Sequence, residues 1–181
     1  MGQPQASMRL SKSCAAPPEV VYDLLADLRS HLRWAGAEQS ADFRLLSMDA
    51  PTGPARQGTV FTTTGSIPMS GKHWEDRSTV TEAARPEAFE FVTEARAGSM
   101  AARYRHHYEI AATLGGSTVT YTMTQEAITN PSLRLGLPVV RQMMWTVGIP
   151  MFAGRGFRNL IADAQAEAKP ISFEARGSQK G

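Results

Sequence analysis

The chain has 181 residues, 42% of them hydrophobic, and 19 basic against 17 acidic side chains give a net charge of +2. That is enough apolar material for one globular domain burying roughly 70% of its unfolded surface, and its interspersed charges exclude the strong basic field of a nucleic-acid binder. The single Cys14 excludes an internal disulfide and a cysteine-rich metal centre, and it fits a reducing cytoplasm.

The opening MGQPQASMRLSKSC lacks the apolar run of a secretory signal, and Ala6 stands where a myristoylation signal carries Ser or Thr. Residues 1–6 read as a disordered leader, 7–169 as one domain and 170–181 as a polar tail. A first strand is expected from about Met8 to Ala15. Pro17 and Pro18 then open a helix, PEVVYDLLADLRS, whose Val21, Leu24, Leu25 and Leu28 fall at helical spacing while Asp23, Asp27 and Arg29 take the wet side. A second short helix, SHLRWAG, places His31 in a polar helical turn and stops at Gly36.

Six strands follow, over approximately 40–48, 57–65, 71–84, 87–97, 101–114 and 117–128, separated by turns mostly rich in glycine or proline. The remainder reads as helical from about Pro131 to Lys169. It is capped by Asn130 and interrupted near Pro138 and around Pro150 to Gly156. Its last stretch puts Phe157, Leu160, Ile161 and Ala164 on one stripe. The most apolar run, 142–154, is too short to span a bilayer. Strands in one run with helices at the two ends argue for an antiparallel α+β fold.

Two of the strands carry an unusual face. At period two, one side of the first shows Trp74, Asp76, Ser78 and Val80, and one side of the second shows Tyr104, His106, Tyr108 and Ile110. Val, Ile and Leu fill an ordinary core, so this mixture suggests a sheet curved around a cavity for something small and partly polar. An apolar void of even 300 Å³ would cost roughly 7 kcal/mol, so wall polarity or a bound molecule has to offset it.

Asp76 in low dielectric meets the condition for a general acid or base, and His106 between two tyrosines suits proton transfer at a carbonyl or phenol oxygen. The plainer alternatives are a salt-bridged Asp76 and a satisfied wall histidine. Trp74, Tyr104, Tyr108, Tyr121, Met123, Met143 and Trp145 are the candidate ligand-binding residues. His73 and His107 are predicted to face outward. No paired-histidine spacing or phosphate-binding loop is present, so no metal site and no cofactor are expected. The stretch LRLGLPVVRQMMWTVGIPMFAGRGFR combines Arg134, Arg141, Arg155 and Arg158 with Met143, Met144, Trp145 and Met151. It suits a ligand wall, a homodimer contact or, less well, a membrane-surface contact.

The element order resembles the START/Bet v 1-like (SRPBCC) superfamily, in its polyketide cyclase/dehydrase-like branch. The resemblance rests on the opening strand leading into APPEVVYDLLADLRSHLRW, the Gly58-Thr59 strand entry, STVTEAARPEAFEF, LGGSTVTYTM and GRGFRNLIADAQAEA. It covers roughly residues 8–169. It implies a helix-grip fold: a curved antiparallel sheet wrapped around a long C-terminal helix, with an internal cavity. Two functions are then expected. One is binding of a small hydrophobic or amphipathic molecule such as an aromatic polyketide, quinone or lipid. The other is a polyketide cyclase or dehydratase using Asp76 and His106 as acid/base groups. A third, an interaction module built on the arginine- and methionine-rich stretch, is weaker.

Overall fold

The computed structural model describes residues 6–35, 44–66, 73–98, 100–129 and 144–169. The alternating segments become seven strands: β1 (Ala6–Cys14), β2 (Arg44–Asp49), β3 (Val60–Ser66), β4 (His73–Ala84), β5 (Ala88–Ala97), β6 (Met100–Thr113) and β7 (Gly116–Ile128). They form one antiparallel sheet in the order β1-β7-β6-β5-β4-β3-β2. Neighbours from β2 to β7 are consecutive in the chain, and β1 closes onto β7. That closure needs glycine: a Cβ on Gly116, at φ +156, would lie 2.1 Å from the Cys14 carbonyl oxygen.

Register irregularities occur on β4 between Val80 and Glu82 and on β7 opposite Arg103 and Tyr104. An extra residue of this kind bends a strand and changes which face the following side chains occupy.

The helices are α1 (Pro18–Ala26), a 3-10 turn (Leu28–Ser30), α2 (His31–Trp34) and α3 (Ile149–Glu167), the last preceded by a π-type turn (Met144–Gly148). Pro18 sits in the first turn of α1, where a missing N–H costs nothing. The same rule corrects the expected interruption around Pro150 to Gly156. Pro150 falls in the first turn of α3, which then runs unbroken. Gly154 and Gly156 are accommodated against Leu10 and against Trp34 and Ala35. The expected start at Asn130-Pro131 and the interruption near Pro138 lie outside the described residues.

The predicted stripe of α3 is the buried one: Phe157, Leu160, Ile161 and Ala164 are each 5% exposed or less, and the helix packs on α1, α2 and β1. Asn159 donates from Nδ2 to the Trp34 carbonyl at 3.1 Å, and Arg33 pairs with Asp163 and Glu167. Val21, Leu24, Leu25 and Leu28 are all buried as their spacing predicts. The result is α+β with the helix-grip arrangement. No helix among the described residues is long and apolar enough to cross a membrane.

Candidate functional site

The pairing register arranges the inner face of the sheet in rows. One row carries Thr63, Asp76 and Ala95 on β3, β4 and β5. The next carries Ser78, Thr93, Tyr104 and Gln125 on β4 to β7. Then come Val80, Phe91, His106 and Met123, and finally Phe89, Tyr108 and Tyr121. Burial alternates as the period-two reading requires: on β4, Trp74 and Asp76 are half-buried and Ser78 and Val80 are buried, between exposed His73, Glu75 and Arg77.

The first two rows make a polar end. Asp76 is half-buried, its Oδ1 has no hydrogen-bond partner, and burial pushes its carboxyl up to about 7. Tyr104 bonds to the side chain of Gln125. Burial raises its hydroxyl pKa, the Gln125 bond opposes that shift, and the nearby Asp76 charge adds to it. The indole of Trp145 lies 6.5 Å from the Tyr104 ring, and its buried Nε1 also lacks a partner. Ser78 and Thr93 satisfy each other at 2.9 Å. Buried acceptor, unused donor and tyrosine hydroxyl therefore stand together at a half-buried edge. Each unsatisfied buried group costs about 1–3 kcal/mol, which a ligand group of matching polarity recovers.

The last two rows make a packed aromatic end. The His106 ring stacks on Phe91 at 4.6 Å, and its Nδ1 is 2.8 Å from the Tyr121 hydroxyl. Tyr121 stacks in turn on Tyr108 at 4.6 Å. Burial, with neighbouring His31 adding to it, pulls the His106 pKa down to about 3, so the ring is neutral near pH 7. His31 corrects the expectation of a polar turn. It is 4% exposed, contacts Phe61 and Phe91, and donates from Nε2 to the Leu25 carbonyl at 3.0 Å. Burial holds it at about 4.

Asp76 and His106 do not form a pair. Val80, not Asp76, shares the His106 row, so the two lie four residues apart along the strands and two strands across, roughly 16 Å. The structure does bring Asp76, Tyr104 and Trp145 into one neighbourhood, with Trp74 next in phase. Tyr108 and Tyr121 are 4% and 5% exposed and fill the interior, and Met123 is half-buried in the His106 row, which borders the polar end. Met143 lies outside the described residues. Two surface hollows, of about 170 and 450 Å³, involve Glu94, Arg96 and Arg103, and Pro18, Pro86 and Ile110. Neither holds any of the candidate ligand-binding residues, Asp76 or His106.

Sequence reasoning missed Gln125, Thr63 and Thr93 as site groups. Gln125 is in phase with Tyr121, which was the available signal. On the outer face, Glu82, Glu90 and His107 are the one group of three among the described residues with donor atoms close enough for a metal ion.

The family described as polyketide cyclase / dehydrase and lipid transport matches residues 5–162. No curated protein sequence matches the chain. Among solved structures, the Zhui aromatase/cyclase from a Streptomyces species superposes with a TM-score of 0.67 at 12% identity, covering 93% of this chain and 99% of that one. An uncharacterized protein from Rhizobium leguminosarum superposes at 0.66 with 12% identity, over 90% and 96% of the two chains. Ara h 8.0201 does so at 0.62 with 11% identity, over 90% and 99%. At these identities the likeness concerns the fold alone.

Proposed function

The chain belongs to the polyketide cyclase/dehydrase and lipid-transport family, and from that premise we propose that it binds a small hydrophobic, partly polar molecule at the polar end of its inner face. An aromatic polyketide, quinone or lipid has the required chemistry. The apolar body lies along Trp74, Met123 and Trp145, and a carbonyl or hydroxyl engages Asp76, Tyr104 and the Trp145 N–H. One observation carries this reading: Asp76 Oδ1 and Trp145 Nε1 are buried without partners beside a tyrosine hydroxyl. A neutral carboxyl both donates and accepts, an indole only donates, and a phenol does either, so the set matches an oxygen-bearing ligand. The packed aromatic end serves as a floor. A cytoplasmic setting belongs to the same reading, in keeping with the buried free thiol of Cys14.

Titrating a hydroxylated anthraquinone into the full chain, followed by tryptophan fluorescence, tests the proposal. Saturable quenching is expected, with Asp76→Ala and Trp145→Phe each weakening binding about tenfold. Unchanged affinity in both variants sinks it. So does an absence of binding for the anthraquinone, a short-chain quinone and a fatty acid alike at about 100 µM.

Asp76 also supports a second reading, cyclisation or dehydration. A carboxyl poised at about 7 exchanges protons near neutrality, and Tyr104 can hold the substrate carbonyl. His106 contributes only to the wall in this version. Asp76→Asn is then expected to bind the substrate but abolish turnover, whereas a carrier shows no turnover to lose.

A further inference from the structure

We propose that Glu82, Glu90 and His107, on the outer face of the sheet, form a binding site for a divalent transition-metal ion, zinc above all. The site lies on the opposite face from the ligand site and is independent of it.

The sheet assembles the three residues in a single row. Glu82 is the register partner of Glu90, and Glu90 is the partner of His107, so adjacent strands β4, β5 and β6 present carboxylate, carboxylate and imidazole in line. Glu82 reaches this face through the irregularity after Val80. Val80 faces inward, and regular alternation would have turned Glu82 inward with it. The extra residue turns it out. Like charges directly opposed across strands are destabilising unless something sits between them. Among the described residues, the ion pair of Glu82 is with His107 at 3.9 Å and with no lysine or arginine.

The donors are also oriented. Thr81 Oγ1 and Arg105 Nη1 both donate to Glu90 Oε1, at 2.7 and 2.8 Å. That fixes the carboxylate and leaves Oε2 facing His107 Nδ1 at 3.2 Å. His107 Nδ1 is buried without a hydrogen bond, so the 3.2 Å approach lacks donor alignment. On the other side of the ring, Nε2 lies 3.7 Å from Glu109 Oε1. A carboxylate at hydrogen-bond distance behind a ligating imidazole fixes its tautomer and raises its basicity, and Glu109, which also pairs with Arg9 at 3.4 Å, stands just beyond that distance.

The three donor atoms all lie within 4.8 Å of one another. Tetrahedral bonds of about 2.1 Å hold two donor atoms about 3.4 Å apart, so a movement of Glu82 by up to about 1.5 Å closes the set. One imidazole nitrogen and two carboxylate oxygens, with water in the remaining position, suit zinc in tetrahedral geometry.

Calorimetric titration of zinc chloride into metal-stripped full-length protein, paralleled by cobalt(II) and its visible absorption, tests this. One equivalent is expected to bind, with the ligand-field bands of a nitrogen- and oxygen-ligated ion. His107→Ala is expected to weaken binding at least about a hundredfold and Glu109→Gln about tenfold, since outer carboxylates typically contribute that much. Circular dichroism should stay unchanged for both. Glu82→Gln, a substitution of a half-exposed side chain, gives the same readout if the histidine variant folds poorly. The proposal is overturned if zinc fails to bind at about 1 mM, or if His107→Ala and Glu82→Gln bind it as the parent does.

Discussion

The rows through Asp76 and Tyr104 and the rows through Phe91 and Tyr108 lie on one face of one sheet, built by the same alternation on the same strands. Burial perturbs titratable groups in both regions. At the aromatic end, the buried polar atoms have found each other: His106 with Tyr121, His31 with the Leu25 carbonyl, Trp34 Nε1 with Ser30. At the polar end, Asp76 Oδ1 and Trp145 Nε1 have not. Satisfied burial makes a core, whereas unsatisfied burial at a half-open edge is the feature on which the proposed ligand site rests. A search for histidines and carboxylates alone cannot tell the two apart.

Acid should break the comparison with the largest effect. His31 and His106 sit at about 4 and 3 in the folded chain, below the roughly 6.5 of an unfolded histidine. Between those values the unfolded state binds more protons, so their contribution is complete above pH 6.5 and is lost as pH falls toward 4 and 3. Denaturant unfolding at pH 7 and 4.5 should show a loss of about 2–3 kcal/mol for each histidine. His106→Gln should flatten that slope. An unchanged slope in the variant removes the packed end as the source of acid sensitivity.

Truncation comes next. Phe89 is 0% exposed, so Phe89→Ala should cost about 3–5 kcal/mol in urea unfolding. Trp74→Ala, at the half-buried end, should cost under about 2 kcal/mol. Equal costs would show that the two ends are packed alike.

The effect at Asp76 has the opposite pH sense. Asp76 is raised to about 7, above the roughly 3.9 of an unfolded aspartate, so the folded state holds its proton more tightly. Stability from this group is present below pH 4 and is lost as pH rises toward 7. Asp76→Asn should therefore gain on the parent between pH 4 and 8, by about 2–3 kcal/mol after allowing for partial solvent access. If the difference between the two proteins stays flat with pH, Asp76 is solvated and the polar end loses its distinguishing group.

Much of this was legible in the residues. Alternation placed Trp74, Asp76, Ser78 and Val80 on one face and Tyr104, His106, Tyr108 and Ile110 on one face, and the structure turns both inward. His31 was not legible, because a four-residue helix has too little periodicity to show which side is covered. Its burial comes from Phe61 and Phe91, far away in the chain. The partnership of Tyr104 with Gln125 was hidden for a similar reason, since it depends on which residues of β6 and β7 stand opposite.

By itself, then, the amino-acid sequence determined the order of the elements, the direction of side chains along the regular stretches of strand and the stripe that α3 buries. All of these follow from local periodicity and turn chemistry. Only the tertiary structure decided that Asp76 and His106 stay apart, that His31 is buried, and that Glu82 joins Glu90 and His107. Those outcomes depend on cross-strand register and on a one-residue bulge, and a single inserted residue moves every following side chain to the other face.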